Sequence, residues 1–172
     1  LIIYLFSTGI SYAVFVKTSS GQANKVSEIK APEDTGTTAS FSPFKIKPGE
    51  AKTEECPING QLRTKTEASW WSGHRPLGIM IENHSDARPQ SGVSRADIVY
   101  EAVAEGGITR FLAIYYCQDA PVVGPVRSAR TYFLDFLSPY ADYPLYAHVG
   151  GANTPGPADA ISQIGEYGWN QY

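Results

Sequence analysis

Sixteen uncharged residues, LIIYLFSTGISYAVFV, open the chain, and Lys17 ends the run. A spanning helix takes about 20 apolar residues, so this run is slightly short. Without an initiator Met it reads as the remainder of a segment whose true start is missing. Residues 1–17 are therefore expected to be a membrane anchor or a signal segment. Lys17 and the scattered Tyr and Phe favour retention as a single-pass N-terminal anchor in the cell membrane. Cleavage is the competing reading, because Gly21-Gln22-Ala23 offers small residues to a peptidase. Both place the rest of the chain on the extracytoplasmic side. A buried core helix is a third reading, opposed by the polar, unpatterned flank after Lys17.

From Lys17 to about Arg75 the chain is rich in Ser, Thr, Gly, Pro, Lys and Glu and shows no sustained period. Residues 18–55 are expected to be a flexible, disordered linker, and residues 56–172 an extracytoplasmic domain. Between Glu55 and Trp71 a small ordered element is anticipated, since Asn59-Gly60 signals a turn and Trp70-Trp71 call for burial.

Beyond Pro76 the pattern changes. Leu77 to Ile81 reads as a buried strand and residues 83–92 as a polar loop. Asp97 to Ala104 and Ile108 to Cys117 flank Glu105-Gly106-Gly107, which predicts a hairpin. Ser94 to Asp97 also fits a capping box, leaving a helix over 95–104 as the alternative. Val122 to Val126 reads as a strand interrupted by Pro125. Ser128 is expected to cap a helix running to about Leu137, with Phe133, Leu134 and Leu137 on one face. Leu145 to Val149 reads as a strand ended by Gly150-Gly151, and Ala158 to Ile164 as a short helix with no evident cap at its end. The fold class is α/β, a mixed sheet with short flanking helices.

Composition narrows the function. With 42% hydrophobic and 12% aromatic residues, a true core is expected. Residues 17–75 carry nine Lys or Arg against seven Asp or Glu, whereas residues 76–172 carry five against ten, a net of −5. All five are arginines: Arg88, Arg95, Arg110, Arg127 and Arg130. An acidic domain without Lys is unsuited to nucleic acid. Arginine without lysine points instead to fixed contacts with carboxylates or phosphates. Cys56 and Cys117, the two cysteines of the chain, can form a disulfide in an oxidising compartment or stay as unpaired buried side chains. Their spacing suits no zinc site, and no cofactor is implied.

The segments ARPQSG, EGGITRF and VGPVRSAR, within a run that continues to YAHVGG, resemble the YerB-like lipoprotein family of bacterial envelope proteins, for which no activity is assigned. The resemblance covers roughly Cys56 to Tyr172. It implies that this domain is the first of two and that the second part is missing. The chain departs from the lipoprotein members in having no Cys directly after its apolar run.

VGPVRSAR carries the sharpest physical signal. Arg127 and Arg130 at the expected helix start would oppose a dipole of about +0.5 charge, which makes sense if an anion completes the site. Helix N–H groups, the Ser128 hydroxyl and two guanidiniums together would cradle a phosphate or carboxylate. The alternative pairs these arginines with internal acids, Glu101, Glu105 or Asp135. Asn83, His84, Arg88 and Gln90 come just after the first strand, where an α/β sheet often meets ligands, and Arg110 completes the anion-site candidates. Glu101 and Glu105 could act as acid and base, or hold a hard cation with Asp97, but they share a face only if the turn does not intervene. His148 reads as a core or edge residue more readily than as a base. No nucleophile, phosphate-loop or zinc-protease motif is present.

Three functions fit. The first is an envelope binding module whose arginine-lined groove takes an anionic wall component or a peptide of an envelope protein. The second is an enzyme acting on phosphorylated, carrier-linked wall polymers, similar in layout to the LytR-CpsA-Psr transferases but matching none of their motifs. The third is a structural interaction domain in which the arginines tie its own parts together.

Overall fold

The computed structural model describes residues 45–170, so the expected anchor at 1–17 and most of the expected linker lie outside the described residues. Among the described residues no helix is long and apolar enough to cross a membrane.

Strand β1, Lys52–Glu55, lies inside the stretch expected to be linker and pairs antiparallel with β2, Leu62–Thr64. Their connection closes where Gly60, at φ +72°, donates to the Cys56 carbonyl at 2.8 Å. Helix α1, Lys65–Trp71, begins at once, an element the periodicity did not announce. Its start is a reciprocal capping box. The Glu67 N–H donates to the Thr64 hydroxyl at 3.2 Å, and the Thr64 N–H donates to the Glu67 carboxylate at 2.7 Å. Trp71 is buried against Cys56 and Cys117.

A four-stranded mixed sheet forms the rest, in the order β4-β5-β3-β6. Strands β3, Leu77–Glu82, β4, Ile98–Glu105, and β5, Ile108–Tyr115, run as an antiparallel set, and β6, Leu145–Ala147, pairs parallel to β3. Residues 98–105 are thus strand and not helix. The hairpin turn falls on Gly106 and Gly107, both at positive φ, the geometry that suits the twist of paired strands.

Pleating gives β3 and β5 two apolar faces. Met80, Leu112 and Ile114 pack on Phe133 and Leu137 of helix α2, Thr131–Leu137. Ile79, Ile81, Ala113 and Tyr115 face the loops that carry Val93, Val123 and Val126. Gly78 lets α2 approach, since a Cβ there would lie 2.7 Å from a methyl of Leu137.

Several boundaries differ from expectation, each for a backbone reason. Ser128 does not cap α2. The cap residue is Arg130, in extended conformation and without a side-chain bond, because the preceding residues are held elsewhere. The Arg127 N–H donates to Met80 O at 2.8 Å and the Ala129 N–H to Gly150 O at 3.0 Å, which keeps 127–129 extended. Within Val122 to Val126 only single bridges form, Gly124 to Ser91 and Val126 to Ile81, as Pro125 has no N–H to continue a ladder. Strand β6 stops at Ala147, and the last helix, α3, spans Ala160–Glu166. Asp159 caps its start by accepting from the Ser162 N–H at 3.1 Å.

Cys56 and Cys117 are joined in a disulfide, with Cα atoms 6.0 Å apart and a sequence separation of 61. Asp97 supports the same corner, its carboxylate accepting from the N–H groups of Tyr116 at 2.7 Å and Cys117 at 2.8 Å. Replacing both cysteines with Ala is expected to lower stability by about 4 kcal/mol through loop-closure entropy, read as a fall in the urea midpoint.

Candidate functional site

At one end of the sheet the α2-facing row of apolar side chains gives way to charge. Glu82 closes β3 and stands directly across from Arg110 on β5. The extended segment 125–127 lies along the outer edge of β3, with the Glu82 N–H donating to Pro125 O at 3.0 Å. This brings the Arg127 Nε to the Glu82 Oε2 at 2.5 Å. The other Glu82 oxygen accepts from the N–H groups of Asn83 and His84, at 3.0 and 3.1 Å. Burial by itself would raise the Glu82 pKa, but the hydrogen bonds and charge of Arg127, with those two N–H groups, hold it below the usual carboxylate range.

Glu105 joins the cluster because β4 carries one extra residue against β5 between Val103 and Glu105. Such a bulge reverses the side on which the next side chain emerges. Glu105 therefore faces Arg110, at 3.0 Å from its Nη2, and its other oxygen meets Arg130 Nη2. Arg110 is buried, its Nη1 donating to the Ser128 carbonyl at 3.1 Å while its Nε has no partner. Ser128 contributes that carbonyl to the cluster. Glu82, Glu105, Arg110 and Arg127 line an open cleft of about 520 Å³.

The other candidates divide cleanly. Glu101 lies on the opposite face, where its carboxylate accepts from Asn83 Nδ2 at 3.0 Å and from the Thr109 hydroxyl at 2.6 Å. Arg88 turns back on Asn83, donating from Nε to Oδ1 and from Nη2 to the carbonyl, both at 3.2 Å, and Gln90 donates to the same Oδ1 at 2.9 Å. This network closes the loop after β3. Asp135 is exposed on α2 and pairs with none of the arginines among the described residues. His148 donates from Nδ1 to Gly150 O at 2.7 Å, a carbonyl being able only to accept. Asp97 is occupied by backbone N–H groups, and Glu101 and Glu105 are parted by the bulge, so the three do not form a cation site. Asp97 does lie beside Cys56 and Cys117, but those sulfurs are bonded to each other.

Glu82 is a member of the cluster that the sequence pattern does not single out. It ends a strand of uniformly apolar character, and only the alternation Gly78, Met80, Glu82 signals that it shares a face with Arg110.

Residues 60–163 match the family described as protein of unknown function (DUF3048) N-terminal domain. Over 103 residues the chain is 52% identical to the Bacillus subtilis (strain 168) protein named "Putative lipoprotein YerB", covering 60% of this chain and 29% of that protein. The crystal structure of the YerB protein from Bacillus subtilis superposes with a TM-score of 0.56 at 41% identity, covering 68% of this chain and 36% of that one. The chain thus spans about a third of the length of these relatives.

Because Glu82 has a lowered pKa, its contribution to stability is complete above its unfolded value, near 4.5, and is lost as pH falls through the lower folded value. Glu82→Gln is expected to cost about 1 to 2 kcal/mol at neutral pH, the range for a charge-assisted bond to a half-exposed partner. The cost should shrink toward zero on acidification, as measured by denaturant titrations from pH 7 to 3.

Proposed function

The chain belongs to the family of proteins of unknown function (DUF3048), whose N-terminal domain it carries, and on that premise we propose that it is a binding module of the bacterial envelope. Its ligand is an anionic group, phosphate or carboxylate, of a wall component or peptide, taken up at Arg110, Arg127 and Arg130. The module is held at the membrane on the extracytoplasmic side. Export is supported by the apolar N-terminal run, by the disulfide, which persists in oxidising compartments, and by the likeness to a protein named as a lipoprotein.

The observation that carries the ligand class is an imbalance. Three guanidiniums meet two carboxylates, and two of the three share Glu105. Glu105 sits at the hairpin tip with 57% of its side chain exposed, whereas Arg110 and Arg130 are 7% and 14% exposed. The carboxylate is therefore the displaceable partner, and an incoming anion could take its place on two desolvated, fork-shaped donors. A second reading, that the cluster only ties β3, β5 and the 125–130 segment together, is favoured by Arg127, whose partner Glu82 is 12% exposed.

Arg130→Gln separates the two. Glu105 keeps Arg110 and is largely solvated, so the substitution should cost at most about 1 kcal/mol. In the parent chain, pyrophosphate at a hundred times its dissociation constant should add about 2.7 kcal/mol, seen as a raised thermal midpoint, and Arg130→Gln should remove most of that gain. Failure of pyrophosphate, phosphate and a Glu-containing peptide to move the parent midpoint would end this reading.

A further inference from the structure

A separate cavity of about 340 Å³ lies beside the edge strand β6, where the chain after α3 returns against it. Its shape derives from how α3 ends. Gly168, at φ +74°, donates to Gly165 O at 3.1 Å, and the Trp169 N–H donates to Ile164 O at 3.0 Å. This is the paired bonding of a left-handed helix stop, which brings the residue after the glycine back over the last turn. Trp169 is thereby set beside Tyr146 of β6, ring centroids 6.1 Å apart at 76°, and Tyr146 beside His148 at 5.2 Å. Tyr167, 57% exposed, lines the same cavity.

Polar groups line the cavity among these rings. Asp142 and Asn170 are among the lining residues, and their side chains make no hydrogen bond among the described residues. Arg75 is held by donating to the Tyr143 carbonyl at 3.3 Å. His148, also a lining residue, is fixed by its Nδ1 bond to Gly150 O at 2.7 Å.

We propose that this cavity binds a neutral saccharide, a sugar ring or disaccharide stacked on Trp169 and Tyr167 and hydrogen-bonded by Asp142 and Asn170. A pyranose has apolar C–H faces and a rim of hydroxyls that both donate and accept. The cavity offers the complement, flat aromatic surface with an acceptor-only carboxylate and an amide that does both. Arg75 and Asp142 cancel in charge, so no anion or cation is selected, in contrast to the arginine cluster. The volume falls in the range of about 300 to 1,000 Å³ that small-ligand sites occupy. A peptide strand added to β6 is a poorer occupant, since the strand offers three residues. None of Arg110, Arg127 and Arg130 lines this cavity.

The test titrates the full chain with glucose, N-acetylglucosamine, cellobiose and chitobiose, following tryptophan emission and the Trp169 indole N–H resonance. At least one sugar should give a saturable change, and it should persist when the arginine cluster is disabled by Arg130→Gln. Asp142→Ala and Tyr167→Ala, both at exposed positions, should weaken that sugar about tenfold, equivalent to about 1.4 kcal/mol, with an unchanged thermal midpoint. No saturable change with any of the four sugars would overturn the proposal. So would sugar binding unaffected by both substitutions, or displacement of the Trp169 signal by an apolar extended peptide but by no sugar.

Discussion

Strand β3 is hydrogen-bonded along both edges, and the division of its outer edge determines where the charged groups fall. Leu77 to Ile79 pair with β6, and the last residues of the strand pair with the segment 125–127. No single element covers that edge, so the chain must leave α2's approach, lie down as a strand for three residues, and only then enter the helix. Arg127 reaches Glu82 because its backbone is fastened to Met80. Arg130 reaches Glu105 because the same extended run delays the helix. Close contact between β3 and α2 at Gly78 completes the arrangement, bringing the helix down on the strand at the one position without a side chain.

The arginine cluster and the aromatic cavity sit in contrasting dielectric settings. Around Arg110 and Arg130, guanidiniums are largely removed from water and rely on carboxylates, carbonyls and each other's partners. A charge left there without a counter-ion is costly, which accounts for the presence of Glu105 whatever else binds. Beside β6 the groups are aromatic or uncharged in sum, and the apolar surface of Trp169 and Tyr146 sets the character of the cavity. One small domain thus presents two chemically distinct concavities, both formed where the chain passes the edge of β3 or β6.

Much of the sheet was legible in the sequence. The β4–β5 hairpin could be read because Gly106-Gly107 is a local turn signal and the flanking residues alternate. Helix α2 showed its buried side through Phe133, Leu134 and Leu137. What could not be read was set by distant partners. Ser128 looks like a cap by local rules, yet the carbonyls of Met80 and Gly150 decide its conformation. Glu105 and Glu101 look alike along β4, and a bulge visible only in the pairing register sends them to opposite faces. The helix α1 was hidden for a different reason. Its apolar side is short, and its capping box, Thr64 with Glu67, lies in a stretch whose composition suggests linker. Trp169 escaped notice because its placement depends on a glycine whose role as a helix stop emerges only once the helix end is known.

The bond between Cys56 and Cys117 has a mechanical side. Tension applied between the two ends of the chain would cross the domain through the sulfur atoms and leave the residues between Cys56 and Cys117 unloaded. Strands β2 to β5 and helix α1 all lie in that bypassed loop. At about 3.4 Å per extended residue, roughly 200 Å of chain is withheld from stretching. A domain tethered through its N-terminal side could therefore be pulled against a fixed partner without unravelling the hairpin that carries Glu105, while the segment holding Arg127 and Arg130, which lies outside the loop, would bear the load.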